Sequence, residues 1–362
     1  MPQEPAPSAP PPEASFSMTD TTPRPVVVYG TGAIGGVIAA QLRLGGFGVT
    51  AVARGDHLRA IRADGLKLVT QAGEHTVSLP AAANAGEADW STQPVVILAV
   101  KSHQTAAALD DLAAHAPADT AVFAAQNGVA NEMAILRRFA NVYGVTVMLP
   151  AAHLEPGVVV QQSHPLAGIL DLGRYPCGTD AVADDVAAML RASQFLSEVR
   201  EDIMAWKHRK LIMNLGNGVT AVFRPGPAAD ELASRARAEA EDVLAAAGIP
   251  VVPADQDGRR RGSFLAGRVR DDVHGSTWQS VARGHTEVET DYFNGEIALQ
   301  ARLIGRSAPV NEYLQRVTAD HARHARPPRS LDAAEALSHL AARSDAPVAC
   351  SAASTTDRPR RV

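Results

Sequence analysis

Residues 26–36 read Val-Val-Val-Tyr-Gly-Thr-Gly-Ala-Ile-Gly-Gly, and this stretch decides the fold. Val26, Val27 and Val28 are an apolar β-branched run, the pattern of a strand buried on both faces. Gly30, Gly32 and Gly35 follow as G-x-G-x-x-G, and Val37, Ile38, Ala39, Ala40 and Leu42 continue as an apolar helix. In a dinucleotide site each glycine has its own reason. Gly30 permits the tight turn, Gly32 lets backbone approach a pyrophosphate, and Gly35 lets helix pack on strand. The phosphates would sit on Gly30, Thr31, Gly32, Ala33, Ile34 and Gly35, where unpaired N–H groups and the helix dipole favour anions. A glycine-rich turn also serves as a plain βα connection. The strand before it, the helix after it and a second strand at Val49–Ala53 favour the nucleotide reading.

The βαβ rhythm continues outward from this stretch. Leu66–Val69 and His75–Leu79 read as a hairpin, Val95–Val100 as a buried strand, and Thr105–His115 as a helix. Ala121–Ala125 is another strand, closed by Gln126-Asn127-Gly128, and Ala130–Arg138 and Val142–Met148 give a further helix and strand. Residues 150–176 read as strand and turn, and Val182–Leu196 as an amphipathic helix. The chain then turns mainly helical. The expected fold is α/β: a doubly wound sheet followed by an all-helical domain. Residues 1–24 read as a disordered leader, 25–200 as the nucleotide domain, 201–325 as the helical domain, and 326–362 as a mostly disordered tail. A short amphipathic helix over Leu331–Ala342 is expected to interrupt that tail.

Composition narrows the function. The 362 residues carry a net charge of −5, which argues against a dedicated nucleic-acid binder. No apolar run approaches the roughly 20 residues that span a bilayer. Cys177 and Cys350 have neither metal-ligand spacing nor a disulfide framework, so no metal is expected and a reducing cytoplasm is the simplest setting.

Ligands bind at strand ends in open parallel sheets. Arg54 stands at the end of the second strand, where a site for NAD wants an acid; Asp56 follows closely. Arginine suits the 2′-phosphate of NADPH instead. Lys101 ends the next long strand and either faces the same cofactor or lies in a solvated loop. In the helical half, Lys210, Asn214 and Asn217 fall on one stripe of a helix over Trp206–Phe223 that is otherwise apolar or small. Such a stripe needs a polar cavity or bulk water, and its flanks favour the cavity. Glu231–Ala247 and Ile297–Ile304 are helices, and Ala308-Pro309-Val310 opens a last helix over Asn311–Ala319. Arg259-Arg260-Arg261 reads as a solvated loop.

Five segments in order are similar to the ketopantoate reductase family (2-dehydropantoate 2-reductases). They are G-T-G-A-I-G-G from Gly30, A-V-K-S around Lys101, Q-N-G-V around Asn127, R-K-L-I-M-N around Lys210, and E-T-D-Y-F-N-G from Glu289. The resemblance covers residues 25–320. It implies a Rossmann-type N-terminal domain, a helical C-terminal domain and an active site in the cleft between. The implied reaction is NADPH-dependent reduction of 2-dehydropantoate to pantoate, in pantothenate and coenzyme A synthesis. Lys210 and Glu289 match the catalytic lysine and glutamate. Arg54 would hold the 2′-phosphate, Lys101 and Asn127 would contact the cofactor, and Asn214, Asn217 and Ser276 would bind substrate. Two departures line the implied pocket. Asn217 comes one residue earlier than the family's second asparagine, and the interval from Ser276 to Glu289 is one longer, which leaves Glu287 as an alternative acid. Reduction of another 2-oxo acid and a non-catalytic NADP(H)-sensing protein are the competing functions. The partner implied is a small 2-oxo acid, with no nucleic acid or membrane; a homodimer is an open alternative.

Overall fold

The computed structural model describes residues 24–265, 269 and 275–344. In chain order the first half runs β1 (Val26–Tyr29), α1 (Ala33–Leu44), β2 (Val49–Val52), α2 (Gly55–Asp64), β3 (Leu66–Thr70), β4 (Gly73–Val77), β5 (Ala81–Ala82), β6 (Val95–Leu98) and α3 (Thr105–His115). It continues with β7 (Ala121–Ala124), α4 (Asn131–Leu136), β8 (Asn141–Met148), β9 (Ala151–Glu155), β10 (Val158–Gln161), β11 (Gly168–Arg174), α5 (Ala181–Arg191) and β12 (Phe195–Leu196). The main sheet has eight strands in the order β12-β11-β8-β7-β6-β1-β2-β5. All its pairings are parallel except β11 against β8. From β1 the chain winds one way to β2 and β5, then returns to place β6 on the other side of β1. The strand order therefore reverses between β1 and β6, and the ends of these two strands frame the crevice where ligands bind in such sheets.

A second sheet, β4-β3-β10-β9, covers the far side of α1. It explains a glycine the motif leaves unassigned. A Cβ on Gly36 would lie 2.5 Å from Val159 Cγ1, so α1 needs small residues toward both sheets. The expected helix over Val182–Leu196 is shorter: α5 stops at Arg191, Gln194 takes a left-handed conformation (φ 67°), and Phe195–Leu196 joins the sheet beside β11.

The helical half comprises α6 (Ile203–Asn214), α7 (Asn217–Val222), α8 (Pro227–Ala246), α9 (Ala254–Arg261), α10 (Ser276–Ala282), α11 (Asn294–Leu303), α12 (Pro309–Arg323) and α13 (Ala333–Ser344). It has its own apolar core, built from Leu211, Leu215, Val222, Leu232, Ala236, Val243, Ile297 and Leu314. The helix expected over residues 206–223 breaks at Leu215–Gly216, which makes Asn217 the first residue of α7. Gly218 is needed there, because a Cβ would meet Thr318 Oγ1 at 2.6 Å.

Two expectations for exposed segments are corrected. Arg259-Arg260-Arg261 closes helix α9, and Arg260 is drawn onto β11 by Asp171, a carboxylate 1% exposed. Its Nε and NH2 donate to the two oxygens of Asp171 at 2.9 and 2.7 Å, while Arg200 NH2 adds a third contact at 3.0 Å. A buried carboxylate demands such partners, and the pairing ties the helical half to the sheet. Residues 326–344 are likewise docked rather than solvated, and the short helix expected over Leu331–Ala342 is present as α13. Leu331 pairs with Phe223 as a parallel bridge, and Ala333, Ala336 and Leu340 of α13 are buried in the helical core. The rest of the expected tail and the leader lie outside the described residues.

Candidate active site

The two halves enclose a cleft of about 1180 Å³. The glycine turn forms its floor. Gly30 has φ +94°, and a Cβ there would lie 2.6 Å from Val100 Cγ1. Gly35 packs so closely that a Cβ would collide with the Gly30 carbonyl oxygen. Gly32 is the opposite case. A Cβ there would meet nothing within 4 Å, because the residue faces the open cleft at the N-terminus of α1. Space for backbone to approach a pyrophosphate thus exists where the motif places it. Thr31 does not offer its side chain, since its N–H and hydroxyl both donate to Val52 O, at 3.1 and 2.9 Å. Ala33 and Ile34 complete this wall.

Arg54 caps β2, is exposed, lines the cleft and makes no ion pair among the described residues. Asp56, the acid nearest the strand end, is spent on Arg59 one turn along α2. Beneath Arg54, the Tyr29 hydroxyl donates to Asp111 at 2.6 Å, and burial first, then that carboxylate, push its pKa up to about 12.

The ends of β6 and β7 meet the helical half. Lys101 Nζ contacts Glu289 Oε2 at 2.7 Å, and the N–H and hydroxyl of Ser102 both donate to Glu289 Oε1 at 3.1 Å. Glu289 is 6% exposed. Burial alone would raise its pKa, but the Lys101 charge and the three donors hold it below the usual carboxylate value. Glu287, the alternative acid, stands exposed at the rim, 3.7 Å from His103. Asn127, after β7, accepts a hydrogen bond through Oδ1 from Asn214 Nδ2 at 3.2 Å. Lys101, Asn127, Asn214 and Glu289, far apart in sequence, are thus brought together across the cleft.

Lys210 and Lys207 are one turn apart on α6 and have opposite fates. Lys207 is 3% exposed, pairs with Glu132 at 2.7 Å and donates to the carbonyls of Gln126 and Val145 at 2.8 and 3.1 Å. Every proton of its ammonium is engaged in joining α6 to the sheet. Lys210 lines the cleft with no hydrogen bond or ion pair among the described residues. Burial pushes its pKa down to about 8, opposed by the charge of Asp257 and reinforced by that of Arg261. Asn217 and Ser276 line the same end, on the facing starts of α7 and α10.

The family model described as "Ketopantoate reductase PanE/ApbA" matches residues 26–176, and that of its C-terminal domain matches residues 202–322. The chain belongs to the ketopantoate reductase family. It is an oxidoreductase of the type that reduces small 2-oxo acids with a nicotinamide cofactor. The 2-dehydropantoate 2-reductase of Pyrococcus horikoshii is 28% identical over 310 residues, covering 79% of this chain and 93% of the relative. That of Halobacterium salinarum is 29% identical, covering 79% and 94%. The fold matches the ketopantoate reductase of Ralstonia eutropha (TM-score 0.70, 24% identity, 83% of this chain and 99% of that one). It also matches a D-mandelate dehydrogenase with NADH and anilino(oxo)acetate (TM-score 0.70, 21% identity, 83% and 98%).

This reductase also places residues in the cleft that no motif announces. The rings of His57 and His153 lie against each other at a tilt of 50°, with centroids 4.2 Å apart. The Gly157 N–H donates to His57 Nδ1, so the ring proton lies on Nε2 and is donated to Thr31 O at 2.6 Å, bracing the glycine turn. Burial, then the neighbouring His57 ring and the charge of Arg283, push the His153 pKa down to about 4, so it is neutral near pH 7. Gln126 Oε1 and His153 Nε2 are buried cleft atoms without a partner among the described residues. Arg261, Arg283 and Arg329 line the cleft too. Sequence offers no signal for these, because each is set by contacts between distant segments.

Proposed function

We propose that this reductase catalyses NADPH-dependent reduction of a 2-oxo acid to the 2-hydroxy acid, with Lys210 as proton donor. The curated relatives point to 2-dehydropantoate, giving pantoate, as the first substrate to test. The observation that carries the reading is a half-buried ammonium, unpaired among the described residues, in a cleft that an open glycine turn also lines. The cofactor would be held by the turn from Gly30 to Gly35, with Arg54 at the 2′-phosphate and Lys101 and Asn127 along its length. The nicotinamide, when bound, supplies the hydride that forms the new C–H bond at the carbonyl carbon.

The protein's own work is on the oxygen. As the carbonyl π bond breaks, its electron pair collects there, and a nearby cation lowers the barrier because the charge exists mainly in the transition state. Lys210 supplies that cation and then its proton, leaving a neutral amine that solvent reprotonates. A pKa near 8 suits this exchange at neutral pH. Glu289 cannot easily give a proton, because its carboxylate is held ionised by Lys101 and Ser102. Its role in this reading is to position Lys101 and join the halves. Asn214, Asn217 and Ser276 offer neutral hydrogen bonds to the substrate.

A second reading, reduction of a 2-oxo acid with a different tail, is favoured by the arginines at the cleft's helical end and by the shifted Asn217. A non-catalytic NADP(H)-sensing protein would not need Lys210 held unpaired. The test is NADPH oxidation, followed by absorbance, with a panel of 2-oxo acids. Tight NADPH binding with no turnover of any panel member would overturn the catalytic reading.

A further inference from the structure

We infer that Arg329 selects a substrate whose tail carries a second carboxylate. The inference rests on the second reading above, reduction of a 2-oxo acid other than 2-dehydropantoate. The observations come from a segment beyond residue 322, where the family match ends. Residues 326–331 leave α12 and run back along α7. Arg329 N–H donates to Ala221 O at 2.9 Å, Leu331 N–H to Val222 O at 3.0 Å, and Arg224 N–H to Leu331 O at 3.0 Å. Burial of Ala333, Ala336 and Leu340 from α13 holds the segment in place. The outcome is one arginine placed in the cleft.

Three features separate Arg329 from an ordinary surface arginine. Its backbone is left-handed (φ 56°), a conformation that disfavours residues with a Cβ and persists only where surrounding structure imposes it. Its neighbours are ion-paired: Arg326 with Asp320 at 2.9 Å and Arg224 with Asp332 at 3.5 Å. Arg329 has no acidic partner among the described residues, and its one side-chain contact is from Nε to Thr220 O at 3.4 Å. Both terminal nitrogens keep their donors for a ligand.

Position decides which part of the ligand. Lys210, Asn214, Asn217 and Thr220 succeed one another along α6 and α7, and all line the cleft. Lys210 stands at one end of this row and Arg329, beside Thr220, at the other. The 2-oxo acid's own carboxylate is bonded to the carbonyl carbon and belongs near Lys210. A group at Arg329 must therefore lie farther along the tail. A planar guanidinium fork matches a carboxylate in bidentate fashion. Arg283, also without an ion pair among the described residues, donates instead to Gln279 Oε1 at 3.1 Å on the preceding turn of α10.

The experiment compares kcat/KM for 2-dehydropantoate and 2-oxoisovalerate, with neutral tails, against oxaloacetate and 2-oxoglutarate. The full chain is used with NADPH, as wild type, Arg329→Gln and Arg329→Lys. The wild type should prefer at least one dicarboxylate by about tenfold or more, the discrimination expected of one charge-assisted contact. Arg329→Gln should remove that preference by raising KM for the dicarboxylates about tenfold more than KM for the neutral-tailed acids, and Arg329→Lys should restore part of it. Thermal melting of each variant checks that the segment stays docked. Preference for the neutral tails, or equal loss on all four acids in Arg329→Gln, overturns the inference. Absence of turnover with all four acids would instead strike at the proposed reaction. Calorimetric titration of L-malate and 2-hydroxyglutarate against wild type and Arg329→Gln then tests Arg329 separately, and equal affinities would overturn its role.

Discussion

Replacing Lys210 with alanine is the sharpest probe of the chemistry. Positioned proton donors contribute about 10²–10⁴-fold to rate, and kcat should fall by that order. NADPH affinity should barely change, because the ammonium acts on the substrate oxygen. The pH dependence adds a signature. With a pKa of about 8, Lys210 is about nine-tenths protonated at pH 7 and about one-tenth at pH 9. Burial favours the neutral amine, so the proton is held below pH 8 and lost above it; reduction consumes that proton. Wild-type kcat/KM should therefore be level below pH 7 and fall about tenfold per unit above pH 8. Lys210→Ala should lack this alkaline limb. Lys210→Arg should keep the charge but release no proton, since a guanidinium titrates above about pH 12. The assay is steady-state NADPH oxidation across pH with the best 2-oxo acid found. Near-normal turnover in Lys210→Ala, or an unchanged alkaline limb, would refute the assignment. Lys207 offers no rescue for it: all its donors are engaged, so Lys207→Met should lower Tm by breaking a buried pair worth about 3–5 kcal/mol when one partner is lost.

Three further outcomes follow from the geometry. Arg54→Ala should cut NADPH affinity by about tenfold or more while leaving NADH nearly untouched, measured by fluorescence titration; equal wild-type affinity for the two cofactors would sink the 2′-phosphate role. Gly32→Ala should keep its melting temperature and lose cofactor affinity, because its Cβ would enter open cleft, whereas Gly35→Ala should unfold earlier because its Cβ meets the Gly30 carbonyl. Deleting residues 1–22 and 345–362 should leave Tm and turnover intact, while stopping the chain at Ala325 should lower Tm by removing Ala333, Ala336 and Leu340 from the helical core.

The nucleotide half was legible because its signals are local. A β-branched run, three spaced glycines and the return of strand and helix patterns need nothing from elsewhere in the chain. Even the separate tasks of Gly30, Gly32 and Gly35 follow from backbone geometry within a few residues. Lys210 and Asn214 were legible for the same reason, as polar residues one turn apart on an apolar segment, whereas Asn217 lines the cleft from a separate helix after the break at Leu215–Gly216. Sequence singled out Glu289 over Glu287 only with help from the family pattern; in the fold Glu289 is buried against Lys101 and Ser102, whereas Glu287 is exposed.

Tertiary structure alone decided the fates of identical residue types. Lys207 and Lys210 share one helix and nearly one composition, yet the first points into the sheet and the second into the cleft. Arg260 was written as part of a solvated run, but a carboxylate buried 89 positions earlier draws it into the joint between the halves. His57 braces the glycine turn through a partner 26 residues away and a donor 100 residues away. Arg329 entered the site from a stretch that composition alone assigned to a tail. Local periodicity specifies which face of an element is apolar, whereas the partner each polar side chain finds depends on long-range packing that no sequence window contains.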